Sequence, residues 1–165
     1  MNDFKTIRGP LFLILLIGIS LFTACNLDTP ESDFDPVEQF ENELAQIDAY
    51  LETNLIEVDT LENYLIRYVM IEEGTGESPE LTDQINITYQ GRFLSEEEFD
   101  SGTRTFTLNT LIPAWQIMIP ELKVGGTIEF YAPSYYCYGR TGSNSIPPNT
   151  PLIFKVTLNE INPPS

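Results

Sequence analysis

The stretch Tyr135-Tyr136-Cys137-Tyr138-Gly139-Arg140-Thr141-Gly142-Ser143-Asn144-Ser145-Ile146-Pro147-Pro148-Asn149-Thr150-Pro151-Leu152-Ile153-Phe154 decides how the rest of the chain is read. It opens with aromatic rings and a glycine and runs through a polar, Gly-containing loop. A rigid apolar Ile-Pro-Pro rim follows, and then a strand. Rings, a turn and a stiff rim placed close together suit an apolar pocket better than a charged one. Leu152, Phe154, Val156 and Leu158 fall on one face of the closing strand, and Ile153, Lys155, Thr157 and Asn159 on the other.

The same period of two recurs upstream. Tyr64 to Ile71 reads as a strand, and Ile85-Asn86-Ile87-Thr88-Tyr89 alternates cleanly. Ser95-Glu96-Glu97-Glu98 is an acidic turn, Phe106 and Leu108 sit on a short strand, and Thr127 to Ala132 is another strand after a Gly125-Gly126 turn. Ile112 to Ile119 is apolar enough for a short buried helix carrying the lone Trp115, stopped by Pro120. These elements predict an α+β fold: an antiparallel sheet, dry on one face, with a short helix across it.

In order, the chain offers Tyr89-Gln90-Gly91, Phe99-Asp100-Ser101, Leu111-Ile112-Pro113-Ala114-Trp115, Lys123-Val124-Gly125, Tyr138-Gly139, Ile146-Pro147-Pro148-Asn149 and Leu152-Ile153-Phe154. This resembles the FKBP-type peptidyl-prolyl cis-trans isomerases, with their Tyr-x-Gly strand, Phe-Asp-Ser, Val-Ile-x-Gly-Trp, Ala-Tyr-Gly, Ile-Pro-Pro and Leu-x-Phe pieces. The likeness covers about Leu65 to Ile161. It implies a half-barrel sheet wrapped on the short helix. It also implies a pocket at Tyr89, Phe99, Asp100, Leu111, Ile112, Trp115, Tyr138, Ile146 and Phe154, with Trp115 as the floor and Tyr89, Phe99 and Phe154 as walls. Asp100 and the Tyr89 and Tyr138 hydroxyls are the implied polar elements, and the Ile112 amide and Tyr138 hydroxyl hold substrate carbonyls. The implied catalytic set is Asp100, Tyr89, Phe99 and Tyr138. Xaa-Pro segments of client proteins are the implied partners, together with FKBP-type macrolide inhibitors.

The residues leave plainer readings open. Trp115 taken alone is a core residue, Asp100-Ser101-Gly102 is turn chemistry, and Cys137 is either a small core residue or a redox-sensitive thiol. The chain departs from the family pattern in three places. The segment from Asp100 to Phe106 is several residues shorter, which trims a loop at the pocket and leaves Arg104 as the candidate for the family's arginine there. Ala114 stands where Gly is usual, and Pro113 removes a donor near the site.

Composition limits the chemistry. There is no His among 165 residues, which excludes Ser-His-Asp triads, Cys-His dyads and His-ligated metal. No metal or cofactor is expected. The formal charge of −17 makes nucleic acid an unsuitable partner, because phosphate binding needs Lys and Arg.

The N-terminus carries an address. Lys5 and Arg8 precede an apolar run, Leu11 to Phe22, too short to span a membrane. Phe22-Thr23-Ala24-Cys25 resembles a lipobox, so residues 1–24 are expected to be a lipoprotein signal and Cys25 the lipidated first residue. Removing one acid (Asp3) and two bases (Lys5, Arg8) with that signal takes the charge from −17 to −18. The expected location is a bacterial membrane, periplasmic or outer face, reached through the N-terminal lipid.

Residues 25–35 read as an acidic tether, and residues 36–63 as an acidic helical extension. Asp35 is its N-cap, Pro36 its first residue, and Phe40, Leu44, Ile47 and Leu51 its apolar stripe. That stripe packs either on the flank of the C-terminal domain, residues 64–165, or on a partner. Three functions follow: a lipid-anchored isomerase assisting folding of envelope or secreted proteins, a proline-segment-binding chaperone with little turnover, or a structural subunit docking through the acidic helix.

Overall fold

The computed structural model describes residues 34–162. The expected signal, Cys25 and nearly all of the tether lie outside the described residues. The first element is a helix, α1, Pro36–Thr53. Asp35 caps it by accepting from the Val37 and Glu38 amides at 2.8 and 3.3 Å, and Pro36 occupies the first turn, where its missing N–H removes no bond.

Six strands follow: β1 Asp59–Leu61, β2 Ile66–Glu72, β3 Gln84–Phe93, β4 Glu98–Thr107, β5 Thr127–Ala132 and β6 Leu152–Asn162. A short helix, α2, Pro113–Met118, sits between β4 and β5. All neighbouring strands run antiparallel, in the order β1-β2-β5-β6-β3-β4.

Period-two alternation sends one set of side chains onto α2. Ile85, Ile87 and Tyr89 of β3, Ile128, Phe130 and Ala132 of β5, and Leu152, Phe154, Val156 and Leu158 of β6 join Trp115 and Met118 in the main core. Burying each such side chain contributes on the order of 1.5–3 kcal/mol, so this layer supplies most of the cohesion.

The opposite face is not simply solvated. Tyr131 and Ile153 point away from α2 and are fully buried under Ile47 and Leu51 of α1. The Ile47 and Leu51 half of the helix stripe therefore packs on the flank of the sheet. Arg67 of β2 fixes the helix further through two 3.0 Å bonds to the Asp48 carboxylate. At the other side Tyr50 donates to Glu96, Arg92 pairs with both Glu96 and Glu129, and Tyr131 donates to Glu129 at 2.7 Å.

Two expectations are corrected here. The acidic segment 36–63 is not helical throughout: α1 ends at Thr53, and Asp59–Leu61 pairs with Leu61↔Ile66 register as the edge strand β1. No seam separates a 36–63 extension from a 64–165 domain either, because Phe34 onward forms one compact unit. A stripe that buries Tyr131 and Ile153 cannot stand apart from the sheet it covers. Among the described residues no helix is long and apolar enough to cross a membrane.

Candidate functional site

The pocket is built where β3, β4 and β6 meet α2. Trp115 is 6 % exposed and is gripped edge-on by three rings: Tyr89 at 5.2 Å, Phe154 at 5.5 Å and Phe106 at 6.2 Å between centroids. Among the described residues its indole N–H meets no acceptor, and the floor is held by packing against its neighbours. Pro113 stands at the first position of α2, where an amide would have no intrahelical partner, so the donor lost there costs the helix nothing. Ala114 is fully buried beneath.

The neighbouring wall depends on an irregularity in β4. Gly91 pairs with Asp100 and Arg92 with Glu98, leaving Phe99 as an extra residue opposite the Gly91–Arg92 step. In a regular strand, consecutive side chains face opposite ways; at a bulge the extra residue is re-aimed. Phe99 and Asp100, adjacent in sequence, consequently both line the pocket. The Phe99 ring lies over Gly91 so closely that a Cβ there would sit 2.5 Å from Phe99 Cζ. The glycine of the Tyr-x-Gly strand is thus the space into which the Phe99 wall fits.

The resulting cavity has a volume of ≈ 180 Å³. Tyr89, Phe99, Asp100, Leu111, Ile112, Trp115, Tyr138 and Phe154 line it, together with Arg104 and Phe106. Ile146 stands apart from this set. It is buried in an adjoining, more polar hollow that Phe99, Asp100 and Tyr138 share with Ser143, Asn144 and Ser145.

One polar pair is set among the rings: the Tyr89 hydroxyl donates to Asp100 Oδ2 at 2.8 Å. Burial, then the bond to Asp100, pushes the Tyr89 hydroxyl above its usual range. Burial chiefly, with the Asp100 charge nearby, does the same to Tyr138. Both phenols therefore stay protonated at neutral pH and remain donors. Asp100 lies in β4 and not in a turn, and no loop separates it from Phe106, because β3 and β4 pair continuously from Gly91↔Asp100 to Gln84↔Thr107. Burial pushes the Cys137 thiol far above its normal range, which fits a small packing residue and not a reactive thiolate.

Arg104 was expected only in a loop beside the pocket, and Phe106 was not expected in the lining. Asp100, Gly102, Arg104 and Phe106 are two residues apart along β4, and this parity is the signal that finds them once the segment is recognised as a strand.

A sheet packed on one short helix, with a ring-lined pocket between them, defines the class: an antiparallel open sheet whose site lies on the face that α2 covers. The profile of the FKBP-type peptidyl-prolyl cis-trans isomerases matches residues 75–159. The chain belongs to that family. It is 38% identical over 107 residues to the peptidyl-prolyl cis-trans isomerase Mip of Coxiella burnetii, covering 61% of this chain and 46% of that protein. It is 36% identical over 101 residues to the FKBP-type peptidyl-prolyl cis-trans isomerase FkpA of Escherichia coli, covering 58% of this chain and 37% of that protein. The chain thus spans less than half the length of these relatives.

Among solved structures, the crystal structure of Escherichia coli FkpA superposes with a TM-score of 0.67 at 30% identity, over 77% of this chain and 62% of that one. A peptidyl-prolyl cis-trans isomerase from Pseudomonas syringae pv. tomato superposes with a TM-score of 0.65 at 23% identity, over 79% of this chain and 98% of the other, a likeness of fold.

Proposed function

We propose that this pocket takes the proline of an Xaa-Pro segment and accelerates rotation about the preceding amide. The observation that carries the proposal is the ring-walled cavity over Trp115 with a single polar pair, Tyr89–Asp100, among its walls.

An amide resists rotation because its resonance must be broken, at a barrier of ~18–20 kcal/mol. The planar amide has more charge separation than the twisted one. Moving the bond out of water and against Trp115, Tyr89, Phe99 and Phe154 therefore disfavours the planar ground state relative to the twisted state. Each ~1.4 kcal/mol of such difference is tenfold in rate.

As the amide twists, its carbonyl swings toward the edge of the cavity. There Asp100 and the phenol donors are already oriented, so no reorganisation is needed when the charge moves. Tyr138 donates its hydroxyl to a substrate carbonyl. The Ile112 amide, placed just before α2, donates to no group among the described residues and serves a second carbonyl. Leu111 closes the rim. Ile146 and its polar hollow accommodate the chain beside the proline. The reaction makes and breaks no covalent bond, so no nucleophile, metal or cofactor enters it.

The wider setting belongs to the same proposal. Phe22-Thr23-Ala24-Cys25 supports lipid attachment at Cys25 and a place at a bacterial envelope, where the clients are folding envelope or secreted proteins. A macrolide that presents a proline-like ring fits the same cavity. The test is isomerisation of a short Xaa-Pro peptide followed by NMR exchange, with and without protein. Acceleration supports an enzyme. Peptide binding without acceleration replaces it by a proline-segment-binding module. Mass spectrometry of the native N-terminal peptide decides the anchor: acyl chains on Cys25 support it, and an unmodified Cys25 removes it.

A further inference from the structure

Glu43 is buried in α1, 1 % exposed, on a helix otherwise acidic only toward solvent. Among the described residues no cation pairs with it. Its carboxylate instead accepts three neutral hydrogen bonds: from the Ser134 amide, from Ser134 Oγ at 2.7 Å and from Gln39 Nε2 at 2.8 Å. A buried carboxylate is costly unless its acceptors are met, and here two of the three donors belong to one residue 91 positions away. An apolar residue would serve better if this position only packed the helix.

Ser134 opens the short turn that leads into Tyr138. Its carbonyl accepts from the amides of both Cys137 and Gly139, each at 2.8 Å. Tyr138 lies between those two anchored amides. The carbonyl of Gly139 in turn accepts from Asn149 at 2.8 Å, tying the turn to the Ile146 loop. Ser134 is therefore a hub: its N–H and hydroxyl face α1, and its carbonyl holds the segment that presents Tyr138 to the pocket.

We infer that Glu43 is a positioning residue for Tyr138, through which α1 sets the geometry of the proline pocket. The inference rests on the reading of Tyr138 as the group that holds a substrate carbonyl. Residue 43 lies outside the segment 75–159 that matches the family, and its bonds to Ser134 join α1 to that segment.

A double-mutant cycle on the full chain tests it, with kcat/KM on an Xaa-Pro peptide as the readout. Glu43→Ala and Tyr138→Phe each lower kcat/KM, by about five- to tenfold. The double variant is no worse than the worse single variant by more than about twofold, because both remove the same placed hydroxyl. Glu43→Gln, whose amide oxygen still accepts from Ser134 while Gln39 turns its own amide to match, recovers most of the loss. A helix that only stabilised the fold would lower the melting temperature without coupling to Tyr138. Losses that multiply in the double variant, or a folded Glu43→Ala with wild-type kinetics, overturn the inference. Should Glu43→Ala not fold, Ser134→Ala replaces it in the cycle; it removes one of the two Ser134 bonds and leaves α1 untouched. If the wild-type chain binds but does not turn over, the isomerase reading fails. The same cycle, read as peptide Kd from Trp115 fluorescence, then tests the clamp by itself.

Discussion

Gly91→Ala probes the wall of the pocket with a single methyl group. An ideal Cβ at this position falls 2.5 Å from Phe99 Cζ, 2.6 Å from Phe99 Cε2 and 3.3 Å from Phe154 Cε1. Carbon atoms rest at about 3.5–4.0 Å, so the Phe99 ring must retreat by about 1 Å. Phe154 closes one direction, since its own ring is packed on Phe130 and Trp115. The open direction is the cavity itself. Moving there loosens the tilted contact of Phe99 with Phe93 at 5.2 Å and its edge contact with Phe154 at 5.9 Å, each worth about 0.5–1.5 kcal/mol.

Overpacking of a core costs about 1–3 kcal/mol. Phe99 is only half-buried and has somewhere to go, which places the cost near the lower end, at about 1–2 kcal/mol. For a domain of this size that lowers the melting temperature by about 3–10 °C. The ring displaced into the cavity takes room from the substrate, so affinity for a proline peptide falls by about 5–30-fold. Titration of the single Trp115 fluorescence measures the affinity, and a thermal melt the stability. Gly102→Ala is the matched control. Its Cβ meets only Arg104 Nε at 3.7 Å and Tyr89 Cε1 at 4.0 Å, ordinary contacts, so it melts at or slightly above wild type through the unfolded chain's lost freedom. Unchanged Kd and melting temperature in Gly91→Ala would show that the glycine does not make the wall.

Asp100→Ala is expected to lower kcat about tenfold or more with KM little changed, and Phe99→Ala to raise KM more than it lowers kcat; steady-state kinetics on folded variants separate the two, and equal effects would refute the division of roles. Ile47→Ala opens a cavity between α1 and the sheet, over Tyr131 and Ile153, and is expected to cost about 2–4 kcal/mol in urea unfolding; a cost near zero would mean that α1 is an appendage. Deleting residues 26–54 exposes the same two side chains, so the remaining chain is expected to lose most of its cooperative transition. Alkaline pH should weaken the fold: burial first, then its bond to Glu96, pushes Tyr50 from 10.0 to about 12. The unfolded chain releases that proton first, so the contribution is whole below pH 10 and is lost as pH rises toward 12. Melts from pH 8 upward should fall less steeply for Tyr50→Phe than for wild type, and identical slopes would remove Tyr50 from the account.

The strands that alternate over a one-sided core were legible. Ile85-Asn86-Ile87-Thr88-Tyr89 and Leu152 to Leu158 bury every second residue on α2, and burial writes its period into the sequence. The Asp35-Pro36 helix start was legible for a local reason, since cap and first turn need only neighbouring residues. β1 was not: three residues paired along one edge carry too short a pattern to show a period. Asp100 through Phe106 read as a trimmed loop because Asp100-Ser101-Gly102 is turn chemistry; Thr103 and Thr105 favour a strand, and the long pairing with β3 makes the whole segment one.

At the site, the pocket rings were named through the family resemblance; taken alone, Trp115 reads as core. How Phe99 and Asp100 reach the same side was not, because the bulge is a property of the register between two strands. Glu43 was hidden for a similar reason. In sequence it is one acid among many on α1, and only the docked helix brings it to Ser134.

Isomerase activity is read most directly from the cis–trans exchange rate of a short Xaa-Pro peptide, followed by NMR with wild-type protein and with folded Asp100→Ala. Wild-type protein is expected to accelerate exchange markedly, and Asp100→Ala about tenfold less. Exchange at the uncatalysed rate with wild-type protein, or equal acceleration by the two, would contradict that expectation.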